Sequence, residues 1–247
     1  MEALLSKRVQ EMVRNGEEPP PPYVRRDVNY TQIVPSTLCS PPIIDFGLIS
    51  SSTPLTKQKE ELQKLRSALS SWGCFQAINH GTSSTLLDKV REVAREFFTQ
   101  PMEQKKIISK GVKEFEGYGA DPVPEEDGSG YTIILQDDVE GLQVHRKDKW
   151  FTVSTISHAL FILMGDQMEI MTNGIFKSPM HRVLVNSKRE RISVAMFYTP
   201  EPNKEIGPEQ GLVNEEQPKL FKKVKDYADT HWEYYQRGRR AIHVAKV

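Results

Sequence analysis

The sequence has only two cysteines, Cys39 and Cys74. A disulfide framework or a zinc site built on cysteine pairs needs more than two, so neither is expected. Cys74 lies in an apolar run, which predicts a small buried side chain. This cysteine usage is typical of a reducing compartment, and we expect a cytoplasmic protein.

The chain also lacks net charge and long apolar runs. Lys plus Arg and Asp plus Glu both number 33 in a chain of 247 residues. This balance favours neither nucleic acid nor an anionic membrane surface as a partner. The longest apolar stretch, residues 159–164, is too short to cross a bilayer. The length allows one large domain, or a domain with an appendage.

The second half carries a spaced set of polar residues. Asp127 lies in DGSGYTIILQ and His181 lies in SPMHRVLVNS. A carboxylate and an imidazole on separate strands suggest a non-haem iron site, which needs two histidines and one carboxylate on one face. The second histidine is expected two residues before Asp127, but the chain has Glu125 there. The sequence therefore indicates an iron chemistry and lacks one of its three ligands.

Arg191 and Ser193 follow His181 in the run RIS. Side chains two positions apart on a strand point to the same face, so both are expected to point inward. A planar guanidinium can bind a carboxylate with two parallel hydrogen bonds, and a hydroxyl can add a third donor. The run therefore presents a guanidinium and a hydroxyl on one face of a strand.

The two halves of the chain have different patterns. The first half predicts helices and a few strands: a helix at residues 1–15, a strand at 41–46, a helix at 56–71 ended by Gly73, a strand at 74–78 and a helix through 86–97. The second half has short β-rich runs at 131–135, 142–145, 150–153, 159–164, 182–185 and 191–198, which predict an antiparallel sandwich or barrel. An amphipathic helix from Leu220 to Trp232 is expected to close the chain.

Several runs resemble a known family. The runs PPIIDF, SWGCFQAINHG, EFFTQPMEQK and EFEGYG are similar to the N-terminal domain of plant 2-oxoglutarate- and Fe(II)-dependent dioxygenases. The runs DGSGYTIILQDDVEGLQV, GDQMEIMTNGIFKSPMHRV and RERISVAMFYTP resemble the catalytic core of that family. Within it, the chain is most similar to the senescence-related and codeine or thebaine O-demethylase-like branch.

The resemblance implies an α+β fold with a mainly β core, namely a double-stranded β-helix of the cupin-like jelly-roll type with flanking helices, here incomplete. The implied domains are an N-terminal helix and proline-rich linker at residues 1–40, an N-terminal dioxygenase domain at 41–120, the Fe(II)/2-oxoglutarate core at 121–201 and a C-terminal amphipathic helix at 202–247.

The resemblance also implies an oxidoreductase of plant specialised metabolism. Such an enzyme couples the oxidative decarboxylation of 2-oxoglutarate by dioxygen to hydroxylation or O-demethylation of a small molecule, with ascorbate as an optional addition. Asp127 and His181 would bind the metal, whereas Arg191 and Ser193 would bind the far carboxylate of 2-oxoglutarate. We expect a monomer, with no nucleic acid or membrane partner.

The chain departs from the family at one point. In the family, a long segment separates the EGYG region from the His-x-Asp motif and carries early core strands and the first iron histidine. Here residues 121–126 run directly into Asp127, so either the molecule is shortened or the sequence is part of a longer one. Missing strands would leave sheet edges unpaired and apolar faces bare.

Two functional hypotheses follow from this departure. One is a 2-oxoglutarate-dependent dioxygenase that is impaired as written. The other is a catalytically silent relative, at most a weak binder of metal or 2-oxoglutarate. Glu125 keeps the spacing of the missing ligand and could replace it, although it belongs to the upstream PVPEE run.

Overall fold

The computed structural model describes residues 15–18, 33–110, 116–119, 128–186, 188–201, 203–236 and 240–247. The chain divides into two compact units, which are described separately. The smaller unit comprises residues 1–31 and 93–123, and the larger comprises 32–92 and 124–247. Nearly all of the helix predicted at residues 1–15 lies outside the described residues, and so do Glu125 and Asp127.

The larger unit is built on two sheets. Its described strands are β1 (Ile33–Val34), β2 (Ile43–Asp45), β3 (Cys74–Ile78), β4 (Tyr131–Gln136), β5 (Leu142–Arg146), β6 (Lys149–Thr152), β7 (Leu160–Met164), β8 (His181–Val183) and β9 (Ser193–Tyr198). One sheet has the order β1-β6-β5-β8, and the other has the order β2-β3-β7-β4-β9. Each β-rich run predicted from the sequence overlaps one of these strands.

The two sheets pack face to face around an apolar cluster. Cys74, Phe161 and Leu163 from the five-stranded sheet meet Leu142 and Val144 from the four-stranded sheet, and none of these side chains is more than 2% exposed. Alternate residues of each strand point into this layer because side chains alternate along a strand. The result is the sandwich that the sequence predicts, with the core between the sheets.

The described helices are α1 (Leu55–Ser71), α2 (Ser84–Thr99), α3 (Met102–Ile107), α4 (Asp166–Met171) and α5 (Tyr227–Gln236), with short 3-10 turns at Phe46–Ile49, Gln210–Leu212 and Ala241–Ala245. Helix α1 covers the outer face of the five-stranded sheet, where Ala68 and Leu69 pack with Phe75 and Ala77. In the part of the chain that the structure describes, no helix is long and apolar enough to cross a membrane.

Gly73 ends the turn after α1, as the sequence predicts. Its φ of 69° lies in the left-handed region, and its N–H donates to the carbonyl of Ala68 at 3.0 Å. A Cβ added at this position would overlap the Lys177 carbonyl oxygen and lie 2.7 Å from Pro179 Cδ. Only glycine allows the segment around Lys177 to approach this closely.

In the smaller unit, a buried lysine joins two of the sequence runs that carry the family resemblance. Lys105 is 1% exposed, and its Nζ donates to the Phe98 carbonyl at 2.7 Å. The same Nζ lies 5.6 Å from the ring centroid of Tyr118, which also makes an edge contact with Phe97. The run EFFTQPMEQK is thereby packed against the EGYG run.

The last part of the chain differs from the prediction. The helix begins at Tyr227 and not near Leu220, because the preceding residues bond to other segments in an extended form. Phe221 forms a β-bridge with Lys246, and Val224 forms one with Ile206. Phe221 and Ile206 are buried in a separate C-terminal apolar cluster. The apolar spacing in the sequence reflects this cluster as well as the helix.

A buried carboxylate ties this C-terminal region to α4. Asp166 is 0% exposed, and its Oδ2 accepts a hydrogen bond from the Tyr227 hydroxyl at 2.9 Å. Arg240 Nη2 lies 3.8 Å from Oδ1, beyond hydrogen-bond distance. Burial raises the pKa of Asp166, although Ser178, Arg240, Tyr227 and His231 partly counteract this effect. The carboxyl group is therefore held where its ionised form is costly.

The first prediction concerns Gly73. Gly73→Ala is expected to lower the free energy of unfolding by about 1–3 kcal/mol. The positive φ at this position is unfavourable for alanine, and the new Cβ would overlap the Lys177 carbonyl oxygen. Chemical denaturation measures this change. Gly211→Ala is the matched control, since a Cβ there meets nothing within 4 Å. An equal effect of the two substitutions would contradict the close approach at Gly73.

The second prediction concerns pH. Since the folded-state pKa of Asp166 is raised, its neutral form contributes stability below the unfolded pKa of about 4, and this contribution is lost as pH rises through the folded value. Asp166→Asn should remove this part of the pH dependence of urea unfolding. Asp229→Asn, which changes an exposed residue of α5, should leave it intact. Identical pH profiles for the two variants would rule out the effect.

Candidate functional site

His181 lies on the inner face of the sandwich. It begins β8, the last strand of the four-stranded sheet, and it is opposite Val144 in the antiparallel pairing with β5. Directly opposed residues of an antiparallel pair point to the same face. Val144 is fully buried between the sheets, so the half-buried His181 imidazole points toward the same layer, at its open side.

Ser193 also points to the inner face, from the other sheet. It begins β9, the last strand of the five-stranded sheet, and it is opposite Gln136. Gln136 has the same orientation as Ile134, which belongs to the cluster between the sheets. Leu184, just after β8, and Arg191, just before β9, both approach Gly141. The two end strands therefore lie on the same side of the sandwich, and His181 and Ser193 face the opening between the sheets there.

Arg191 joins Ser193 through hydrogen bonds. Its Nη1 donates to Ser193 Oγ at 3.2 Å, and its Nη2 donates to Gln136 Oε1 at 2.9 Å. The expectation that Arg191 and Ser193 share one face is confirmed. Gln136 was not identified from the sequence. Its place at the end of the run YTIILQ indicates a role beside Arg191 only when the pairing of β4 with β9 is known.

The guanidinium of Arg191 is poorly solvated. Burial lowers the pKa of Arg191, and the negative charge of Asp137 opposes this shift. The Asp137 carboxylate itself accepts hydrogen bonds from the N–H groups of Val139 at 3.0 Å and Ile192 at 2.7 Å. Both side-chain partners of the guanidinium are neutral groups, and no ion pair of Arg191 is found among the described residues. A bound anion would therefore stabilise this charge.

Gly141 makes room for the stem of Arg191. A Cβ at this position would lie 2.8 Å from Arg191 Cδ and 2.7 Å from the Leu184 carbonyl oxygen. The lack of a side chain at Gly141 fixes the path of the arginine toward Gln136 and Ser193.

The carboxylate candidate of the metal site cannot be placed, because Asp127 and Glu125 lie outside the described residues. The next residue, Gly128, is described, and its carbonyl accepts a hydrogen bond from Gln167 Nε2 at 2.8 Å. The described residues contain no group of three His, Cys, Asp or Glu side chains that could hold a metal ion. Within these residues the donor set for iron is therefore incomplete.

One histidine outside the sequence motifs lies beside this segment. The His231 ring of α5 occupies the space that a Cβ of Gly128 would need. No pattern in the sequence signals this contact, because it depends on how the C-terminal cluster packs. Two other histidines have structural partners. His80 Nε2 lies 2.9 Å from the His158 carbonyl oxygen, and His158 Nε2 lies 3.0 Å from Asp88.

Comparison with known proteins identifies the family. Residues 115–200 match the 2OG-Fe(II) oxygenase superfamily. Residues 41–152 match the N-terminal region of non-haem dioxygenases in morphine synthesis. The chain belongs to the plant 2-oxoglutarate- and Fe(II)-dependent dioxygenases. It is therefore a member of an oxidoreductase family whose cofactors are iron and 2-oxoglutarate, and the family predicted from the sequence runs is confirmed.

Curated relatives of this dioxygenase come from plants. Protein SRG1 of Arabidopsis thaliana is 28% identical over 333 residues, which cover 92% of each chain. Codeine O-demethylase of Papaver somniferum is 27% identical over 281 residues, which cover 74% of this chain and 78% of the relative. The family thus includes demethylases.

Solved structures confirm the jelly-roll fold. A crystal structure of JOX2 in complex with 2OG, Fe and JA is 23% identical, with a TM-score of 0.80 and coverage of 98% of each chain. A rice dioxygenase for auxin oxidation is 17% identical, with a TM-score of 0.73, and the match covers 83% of this chain and 99% of the rice chain.

The same alignments show an internal difference from the relatives. The match to protein SRG1 runs over 333 positions, whereas this dioxygenase has only 247 residues. Because 92% of both chains is covered, the excess belongs to stretches inside the relative that have no counterpart here. The match to codeine O-demethylase likewise runs over 281 positions, which is more than the 74% of this chain that it covers can supply. The predicted absence of an internal segment is confirmed, and its position before Asp127 remains a prediction.

Proposed function

We propose that this dioxygenase binds 2-oxoglutarate through Arg191 and Ser193, and that its iron site, as written, lacks one protein ligand. The observation that carries the proposal is the partly buried guanidinium of Arg191, held on the inner face by a neutral amide and a neutral hydroxyl. His181 faces the same opening from the other sheet.

Arg191 and Ser193 suit a dicarboxylic acid for electrostatic and geometric reasons. A carboxylate would supply the negative charge that the partly desolvated guanidinium lacks, and it could accept two of its N–H groups. Ser193 Oγ already accepts a hydrogen bond from Arg191, so its hydroxyl hydrogen can be donated to a ligand. Gln136 and Gly141 position the guanidinium. This arrangement fits the far carboxylate of 2-oxoglutarate.

The metal set is only partly supplied. His181 and Asp127 would contribute an imidazole and a carboxylate, which are suitable ligands for Fe(II). When bound, Fe(II) supplies the oxidation chemistry of the family. Two protein ligands hold such a metal more weakly than three. We therefore propose that turnover by this chain is impaired.

With a complete ligand set, the reaction would be the hydroxylation or O-demethylation of a small molecule of plant specialised metabolism. The demethylases among the relatives support this class of reaction. The balanced charge of the chain supports a small-molecule substrate over a nucleic acid. The two cysteines, neither of them in a disulfide, support a cytoplasmic location.

A second candidate is an active dioxygenase in which His231 replaces the missing histidine. The observation that favours it is the packing of the His231 ring against Gly128, the residue that follows Asp127 in the chain. A histidine contributed by a C-terminal helix could supply the imidazole that the upstream segment supplies in the family. Glu125 remains the alternative replacement suggested by the sequence spacing.

The third prediction concerns cosubstrate binding. Arg191→Lys is expected to weaken 2-oxoglutarate binding about tenfold or more, because an ammonium cannot reproduce the two parallel hydrogen bonds of the guanidinium. Anaerobic calorimetric titration with Fe(II) present measures the affinity. Arg189→Lys is the matched control, since Arg189 is exposed and pairs with Asp138. Unchanged affinity in Arg191→Lys would refute the assigned role.

The fourth prediction concerns the iron site. On anaerobic titration with Fe(II) and 2-oxoglutarate, the purified chain should not develop the visible charge-transfer band that Fe(II) gives with bound 2-oxoglutarate. In air it should form no more succinate than the His181→Ala variant. Both outcomes follow from the missing ligand.

The comparison of variants separates the hypotheses. A stoichiometric band in the parent chain that is lost in both His181→Ala and His231→Ala would establish the second candidate. A band that survives His231→Ala but is lost in Glu125→Gln would assign the third ligand to Glu125. Circular dichroism of each variant ensures that a lost band is not caused by unfolding.

A further inference from the structure

The outer edge of β9 is exposed. β9 is the last strand in the order of its sheet and pairs with β4 on one side only, among the residues that the structure describes. Five of its six residues are exposed. An end strand of this kind presents unpaired backbone groups to any strand that approaches it.

The pairing with β4 shows which backbone groups point outward. The Asp137 N–H donates to the Ile192 carbonyl at 3.2 Å, which makes these two residues a hydrogen-bonded pair. Hydrogen-bonded and non-hydrogen-bonded pairs alternate along an antiparallel ladder. Val194, Met196 and Tyr198 therefore bond toward β4, while the N–H and C=O groups of Ser193, Ala195 and Phe197 point away from it.

The side chains of β9 do not protect this edge. Natural edge strands are commonly blocked by a charged residue, a proline or a bulge. The sequence of β9, SVAMFY, contains no charge and no proline. Its apolar side chains are accessible on both faces, with Phe197 66%, Tyr198 45% and Met196 43% exposed.

The neighbouring end of the other sheet is also bare. Val183 in β8 is 54% exposed, and Val185 just beyond it is 95% exposed. Both end strands border the same opening, and the curated relatives contain an internal stretch that this chain lacks. Among the described residues, the end strands β8 and β9 have the bare edges that the sequence predicts.

We propose that the outer edge of β9 pairs with the same edge of a second copy of this chain, in an antiparallel two-fold arrangement. The charges at its ends favour this occupant. Two exposed cations, Lys188 and the Asp138-paired Arg189, precede the strand beside one acid, Glu190, and Glu201 is the first charge after it. Antiparallel pairing places the basic start of one strand against the acidic end of the other.

The arrangement also satisfies the requirements of a closed dimer. The same patch is used by both copies, so one two-fold contact closes the assembly without leading to a fibre. The outward groups of Ser193, Ala195 and Phe197 would bond across the contact, and Phe197 would be covered. The monomer expected from the sequence is the alternative that the experiment below distinguishes.

The fifth prediction tests this contact by sedimentation velocity over a range of protein concentrations, without iron or 2-oxoglutarate. The parent chain is expected to form dimers. Ala195→Pro removes an outward N–H but leaves the ladder to β4 in place, and Phe197→Lys adds a charge to the edge. Each should weaken dimerisation about tenfold or more.

Leu38→Lys is the matched control, because Leu38 is 78% exposed and lies beyond β1, at the far end of the other sheet from β8. It should leave dimerisation unchanged. Thermal unfolding shows whether Ala195→Pro folds, and Phe197→Lys provides the test if it does not. A parent chain that is monomeric at every concentration, or an association that neither β9 variant weakens, would overturn the proposal. Neither result would bear on 2-oxoglutarate binding.

Discussion

The packing of the two sheets across one apolar layer determines where the described candidate site residues lie. Cys74, Phe161 and Leu163 on one side and Leu142 and Val144 on the other fix which alternate positions of each strand point inward. Once that parity is set, β8 must present His181 to the interior and β9 must present Ser193. A shift of either strand by one residue would turn these side chains to the outer faces, and no separate interaction of the polar residues could correct it. The site therefore depends on the apolar core more than on its own hydrogen bonds.

The scaffold places the charge of Arg191 in a partly desolvated position, where it is only partly compensated. That charge is kept partly out of water by the Gly141 segment, and a nearby carboxylate, Asp137, is occupied by backbone N–H groups. A guanidinium in that environment is stabilised only in part by Gln136 and Ser193. The incomplete compensation is the basis for the proposed binding of a negatively charged cosubstrate. It also explains why the short pattern RIS is a useful signal, since the spacing of two residues has a meaning only on a strand that faces the core.

Much of the fold could be predicted from local patterns. The run Cys74–Ile78 is apolar between Gly73 and Asn79, and it forms the strand β3 with the expected bounds. The closing helix was placed too early, because Phe221 and Val224 have the right apolar spacing but their backbone groups bond to Lys246 and Ile206. The contacts of Gln136 with Arg191 and of His231 with Gly128 join residues far apart in the chain, and no periodicity contains that information. The family was recognisable because several runs matched at once, whereas the substrate depends on walls of the site that the sequence does not reveal.

The two cysteines have different environments, and this difference has a practical consequence. Burial at the centre of the sandwich raises the pKa of the Cys74 thiol, so almost no thiolate forms there at neutral pH. Cys39 is half-buried and packs at the margin of the same cluster, just after β1. A thiol-directed fluorophore or spin label would therefore attach at one position without mutagenesis. That position lies near the β1 end of the four-stranded sheet, so the probe would follow the integrity of the sandwich while leaving the β8 end of that sheet unlabelled.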